Sequence, residues 1–149
     1  MKRPVWIAYH LARLVLTLVF IYAGAVKIPD VVAFAGHVAA YQILPYAMNY
    51  LVAATLPYVE FLAGVLLLLN LRVRPALVVI GGMTLVFMAA LVSVLVRGLA
   101  IDCGCFDPAG GEEVTAGMAL LRDIGLMALV AVVWWLRGRM VSGSVRRAA

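Results

Sequence analysis

Charge is scarce in this chain. Only 13% of its 149 residues are charged, twelve basic and seven acidic, against about 25% in a soluble domain. The shortage excludes an ordinary aqueous globule and a disordered tail. Cysteine is scarcer still at two residues, which excludes a disulfide-dense secreted module. Histidine also occurs only twice, as His10 and His37, so a metal site would need further ligands that the chain hardly supplies. What fills the sequence instead is apolar: 66% of residues are hydrophobic, and mean hydropathy is +1.10. A transmembrane helix takes roughly 20 apolar residues, so this length holds about four and little else. The chain is predicted to be an all-α membrane protein, a single domain over residues 1–149 whose four-transmembrane-helix bundle has the lipid bilayer as its solvent.

Long apolar runs place the spans at about 5–26, 50–71, 75–96 and 115–136. Pro75 suits a first helical turn, where its missing N–H costs nothing. The link Arg72-Val73-Arg74 is so short that spans two and three must be antiparallel neighbours. Between spans one and two, Asp30 to Pro45 is apolar but too short to cross. It is predicted as an interfacial or re-entrant helix, capped by Asp30 and ended before Pro45.

The basic residues sort by side. Lys2, Arg3, Arg72, Arg74, Arg137, Arg139, Arg146 and Arg147 fall on one side, and only Lys27 and Arg97 on the other. That bias predicts both termini in the cytoplasm and the loop from Arg97 to Glu113 in the periplasm, across a bacterial cytoplasmic (inner) membrane. It also removes nucleic acid as the meaning of the +5 net charge, because the basic groups sit at the ends of apolar runs. Trp6, Trp134 and Trp135 suit the inner interface, Tyr46 and Tyr50 the outer. A cleavable signal ending near Ala23-Gly24-Ala25 competes for the first span, but His10 and Arg13 interrupt its apolar region.

Both cysteines lie in the outward loop, in Ile101-Asp102-Cys103-Gly104-Cys105-Phe106-Asp107. Cysteines one residue apart point to opposite faces of an extended chain, and Gly104 allows the bend that would join them. A ring that small is strained, hence easily reduced, and closes too little chain to stabilise much. The spacing suits electron exchange better than bracing, with a static local disulfide and a metal site as the other readings. Acidic Asp102 and Asp107 disfavour the thiolate, which suits a pair acted on by a stronger partner. With no second pair to relay electrons, Cys103 and Cys105 would meet either a separate thioredoxin-like protein or a quinone directly.

Four charges fall inside spans: Arg13, Glu60, Arg122 and Asp123. Each costs about 2.5–3.5 kcal/mol at mid-membrane on insertion scales, so each calls for a partner. Depth along the helices predicts an Arg13–Glu60 pair, with Arg122 reaching Glu60 or snorkelling toward Asp102 or Asp107. Such a cluster is either a structural ion pair or a polar pocket under the loop, for a quinone head group or a proton path. Pro57, one turn before Glu60, loosens the backbone there. Lys27 is placed as an interface anchor just beyond the first span. His37 is placed on the polar face of the interfacial segment, or as a proton acceptor for the thiols. Phe20, Phe34, Phe61 and Phe87 are assigned to packing, and Met83, Met88, Met118 and Met127 to filling gaps in apolar helices.

Several of these residues resemble a known family. Arg13-Leu14, Phe20, Ala23-Gly24 and Lys27, followed by Phe34, Tyr41 and Pro45, are similar to the opening of DoxX-like membrane proteins. Pro57-Tyr58-Val59-Glu60 and Gly64 resemble their second span. Asp102-Cys103-Gly104-Cys105-Phe106 with Arg122-Asp123 resembles the MauE branch, the methylamine-utilisation membrane proteins. Asp107 stands where that branch commonly has glycine, and Asp123 where asparagine is more usual. The resemblance implies a four-helix membrane bundle that works beside a thioredoxin-like periplasmic protein to mature an exported disulfide-containing client, with Cys103 and Cys105 as the redox pair. The expectation is therefore a membrane thiol–disulfide redox helper. The alternatives are a quinone-linked oxidoreductase subunit and a non-catalytic assembly factor.

Overall fold

The computed structural model of the chain describes residues 3–99 and 115–148, with side chains as far as Met140. Cys103, Cys105, Asp102 and Asp107 lie outside the described residues. Among the described residues five helices follow one another: α1 (Arg3–Lys27), α2 (Val31–Ala40), α3 (Tyr46–Leu68), α4 (Val73–Val96) and α5 (Ala116–Ala148). Among the described residues there is no strand. Four helices are long and apolar enough to cross a bilayer: α1, α3, α4 and the Ala116–Met140 part of α5. The short apolar α2 lies between the first two.

The four long helices close a ring in which α1 packs on α3, α3 on α4, α4 on α5 and α5 on α1, while α2 lies against α3. The outward face is apolar. Leu11, Leu18, Val78, Val86 and Leu121 are each more than half exposed, an arrangement that only lipid makes favourable. Inside the ring, Leu16, Leu67, Leu77, Ile80 and Val133 are fully buried in one cluster.

Local chemistry explains the helix ends. Asp30 caps α2 as expected, its carboxylate accepting from the Ala33 N–H at 2.8 Å. α2 stops at Ala40 because Gln42 turns left-handed, φ 52°. The α3 end is a Schellman motif: Leu71 N–H donates to the Leu66 carbonyl (3.0 Å) and Asn70 N–H to that of Leu67 (3.1 Å). Asn70 takes the left-handed position with φ 56°, which asparagine tolerates better than most residues. Pro75 falls in the first turn of α4, as expected. The last helix exceeds its expected end at Leu136, because no proline stops it and Gly138 alone does not. Arg139, one turn after Trp135, lies 3.7 Å over that indole and supports the extension.

One end of the ring is tied by a polar cluster. Tyr9 donates to Asn70 Oδ1 at 3.0 Å, and Arg137 donates to both Tyr9 Oη (3.1 Å) and Asn70 Oδ1 (3.3 Å). Asn70 thus serves twice, as turn residue and as acceptor. We expect Asn70→Ala to lose about 2 kcal/mol, half from left-handed strain and half from the hydrogen bonds. Asn70→Gly should recover the strain part only. Thermal unfolding of the two variants in detergent checks the order, and equal losses would contradict the dual role.

Candidate functional site

Small residues set the α1–α3 crossing. A Cβ on Gly24 would lie 2.7 Å from the Pro57 carbonyl oxygen and 2.8 Å from the Phe61 nitrogen. A Cβ on Gly64 would lie 2.8 Å from Ile21 Cγ1 and 3.0 Å from the Ile21 nitrogen. The two backbones approach as closely as glycine allows, in the manner of small-residue contacts between membrane helices. α3 runs unbroken through Pro57, whose buried ring belongs to this crossing.

That register decides which charges meet. Glu60 pairs with Lys27, whose ammonium donates to Glu60 Oε2 at 2.9 Å and Oε1 at 3.2 Å. Both side chains are buried, 4% and 11% exposed. The Phe34 ring, from α2, sits 5.0 Å from the same ammonium and adds a cation–π contact. The expected Arg13–Glu60 pair does not form, and Lys27 is not an interface anchor. With Gly24 opposite Pro57 and Phe61 in an antiparallel crossing, Arg13 comes level with the α3–α4 turn, roughly 16 Å from the level of Glu60 at 1.5 Å rise per residue. Lys27, on the same face as Phe20, Ala23 and Gly24, is one turn away instead. Arg13 stacks on Tyr9 at 5.6 Å from the ring centre, and its Nη1 is buried without a hydrogen-bond partner among the described residues.

A second ion pair comes from α5. Arg122 donates through Nη2 (2.8 Å) and Nε (3.0 Å) to Oδ1 of Asp123, its neighbour in the chain. The Asp123 side chain is 4% exposed. Asp102 and Asp107, the other expected partners of Arg122, lie outside the described residues. His37 is half-buried in the last turn of α2 and does not line the cavity.

Both ion pairs face one cavity of about 440 Å³ in the half of the ring where α1 ends and α5 begins. Among the described residues Lys27, Glu60, Arg122 and Asp123 supply its charges, Thr84 and Tyr41 further polar groups, and Phe20, Phe34 and Phe87 its aromatic walls. The Thr84 hydroxyl is spent on the Ile80 carbonyl at 2.8 Å. Tyr41 follows α2, outside the four spans, and its hydroxyl is buried with no hydrogen-bond partner among the described residues. Burial pushes this phenol up to about 12; the Asp123 carboxylate acts the same way and Arg122 against it. The phenol therefore keeps its proton and remains a hydrogen-bond donor. Arg97 fixes this corner from the end of α4, donating to the Tyr41 carbonyl at 3.0 Å and to Gln42 Oε1 at 3.2 Å.

Sequence reasoning assigned Phe20, Phe34 and Phe87 to packing, and they do pack, but around a cavity. Tyr41 was noticed only through the family resemblance. A phenol on a segment too short to cross, just before a predicted break, was the signal available.

The fold and the cavity define a class: a four-span helical membrane protein with a charged, aromatic-walled recess in one half of its bundle. The profile of the family described as methylamine utilisation protein MauE matches residues 5–136, so the chain belongs to that family. The methylamine utilization protein MauE of Paracoccus denitrificans is 35% identical over 122 residues, which cover 81% of this chain and 65% of that protein. This chain thus spans somewhat less than two thirds of that relative's length. No solved structure matches the chain.

Proposed function

We propose that the protein is a membrane thiol–disulfide redox helper of methylamine utilisation, acting through Cys103 and Cys105 with a thioredoxin-like partner on the periplasmic side of a bacterial inner membrane. The observation that carries the reading is the placement of the chain's entire cysteine complement. In sequence both cysteines fall between α4 and α5, in a chain of the MauE family. The whole chain acts as one domain in this reading, with both termini on the cytoplasmic side.

The exchange balances as follows. A thiolate of one protein attacks a disulfide sulfur of the other, a mixed disulfide forms, and one thiolate leaves. The second cysteine of the attacking pair then displaces the partner, so that one protein ends as a disulfide and the other as a dithiol, two electrons having moved. An exported disulfide-containing client would be matured by the partner. Lys27, Glu60, Arg122 and Asp123 shape the half of the bundle where α1 ends and α5 begins, Arg13 braces the opposite half, and His37 stands on α2.

Single substitutions test this. In the native host, Cys103→Ser or Cys105→Ser should leave a mixed disulfide that cannot resolve, seen as a heavier band that collapses with reductant. The double variant should show none. If neither single variant captures a secreted thioredoxin-like chain, the reading fails.

A further inference from the structure

The cavity has features the thiol reading does not use. Among the described residues its charges are two acids and two bases already joined in pairs, Lys27 with Glu60 and Arg122 with Asp123, so these four cancel. A site built for a phosphate or carboxylate head would carry net positive charge. This one offers ammonium, guanidinium and phenol donors beside carboxylate acceptors, without favouring either sign. The Tyr41 phenol is the independent pointer to a ligand, because a buried hydroxyl without a partner costs free energy that an acceptor would relieve. Around these groups the wall is aliphatic and aromatic. The Phe34 ring lies beneath the Lys27 ammonium, and Tyr41 packs against Phe87 with ring centres 5.8 Å apart. A volume of about 440 Å³ falls within the ordinary range for small-molecule sites, about 300–1,000 Å³.

We infer that this cavity binds the head group of a membrane quinone. A quinone head is neutral and planar. Its two carbonyl oxygens accept hydrogen bonds from groups such as Lys27, Arg122 and Tyr41, and in the quinol form its hydroxyls donate to carboxylates such as Glu60 and Asp123. Aromatic rings flank its faces, and an isoprenoid tail suits the apolar remainder of the wall and the lipid beyond. The inference concerns binding alone. It goes beyond the thiol reading and does not rest on it.

The test is equilibrium binding of decylubiquinone to the full-length protein in phosphatidylcholine nanodiscs. Saturable binding near one per chain is expected. Gly82 lines the cavity, and a Cβ there meets nothing within 4 Å, so Gly82→Trp should obstruct the site without unfolding the bundle. It should weaken binding about tenfold or more while the melting temperature holds, tenfold being the equivalent of one charge-assisted hydrogen bond. Tyr41→Phe removes a hydroxyl that bonds nothing among the described residues. It should leave stability unchanged or raised, and weaken quinone binding about fivefold. Absence of saturable binding overturns the inference, and so does binding that Gly82→Trp and Tyr41→Phe leave unchanged at full stability. Displacement by phosphatidylglycerol also overturns it, since the cavity would then be an anionic-lipid site. Titrating the Cys103→Ser/Cys105→Ser chain separates the two readings. Quinone binding there stands or falls with the cavity, whatever the cysteine-trapping experiment gives.

Discussion

Replacing Lys27 by methionine should cost the protein about 3–5 kcal/mol, the usual loss when one member of a buried ion pair is removed and its partner stays charged. Methionine matches the length of the lysine stem and remains compatible with a helix, so the loss isolates the charge. Glu60 would be left inside an apolar bundle with its two hydrogen bonds from Lys27 gone. On ordinary scaling for a chain of this size, the melting temperature should fall by about 10 °C. Glu60→Met should be costly for the same reason, leaving the ammonium beside Phe34 alone. The combination Lys27→Met/Glu60→Met should recover most of either loss, because the penalty arises from an unpaired charge and not from the missing attraction. Thermal unfolding of the three variants in one detergent completes the cycle. A double variant no more stable than Lys27→Met would show that the ammonium is held for some other reason.

The same pair marks the boundary of what was legible in the sequence. Span number, order and approximate limits follow from apolar run length, because the bilayer imposes one length on every crossing. The cap at Asp30 and the place of Pro75 follow from backbone chemistry that acts within a few residues. The partner of Glu60 does not. Arithmetic along a helix fixes height in the membrane, whereas pairing also needs the face and the register of two helices. Those were set by Gly24 and Gly64, which in sequence look like two more small residues among many. Arg13 was the nearer charge by depth, yet the crossing carries it to the level of the opposite turn. Lys27 looked like an anchor because it stands where the apolar run ends. It is in fact the last residue of α1, on the buried face. The cavity was anticipated only as a pocket of charges. Its aromatic walls come from α1, α2 and α4 at once, and no one-dimensional pattern brings Phe20, Phe34 and Phe87 together.

Because the crossing sets the pairing, disrupting the crossing should break the pair. Gly24→Leu is expected to be the more damaging of two comparable substitutions, ahead of Gly64→Leu. At Gly24 the first added carbon meets main-chain atoms, the Pro57 oxygen and the Phe61 nitrogen, and main chain inside a helix cannot step aside. At Gly64 the nearest atom is Ile21 Cγ1, part of a side chain that can rotate, and the first main-chain atom, the Ile21 nitrogen, stands further off at 3.0 Å. Overpacking costs about 1–3 kcal/mol in cores that yield. Gly24→Leu should lie at or above the top of that range and Gly64→Leu within it. The loss at Gly24 should also carry an electrostatic part. Prying α1 from α3 draws the Lys27 ammonium, one helical turn along, out of reach of Glu60. Gly24→Leu and Lys27→Met should therefore be strongly non-additive, the second costing little once the first has separated the helices. Thermal unfolding of Gly24→Leu, Lys27→Met and their combination measures the coupling directly. Simple additivity would mean that the glycine contact and the ion pair are independent features of the interface. Strong coupling would mean that one close approach of two backbones holds both the crossing and the charged floor of the cavity.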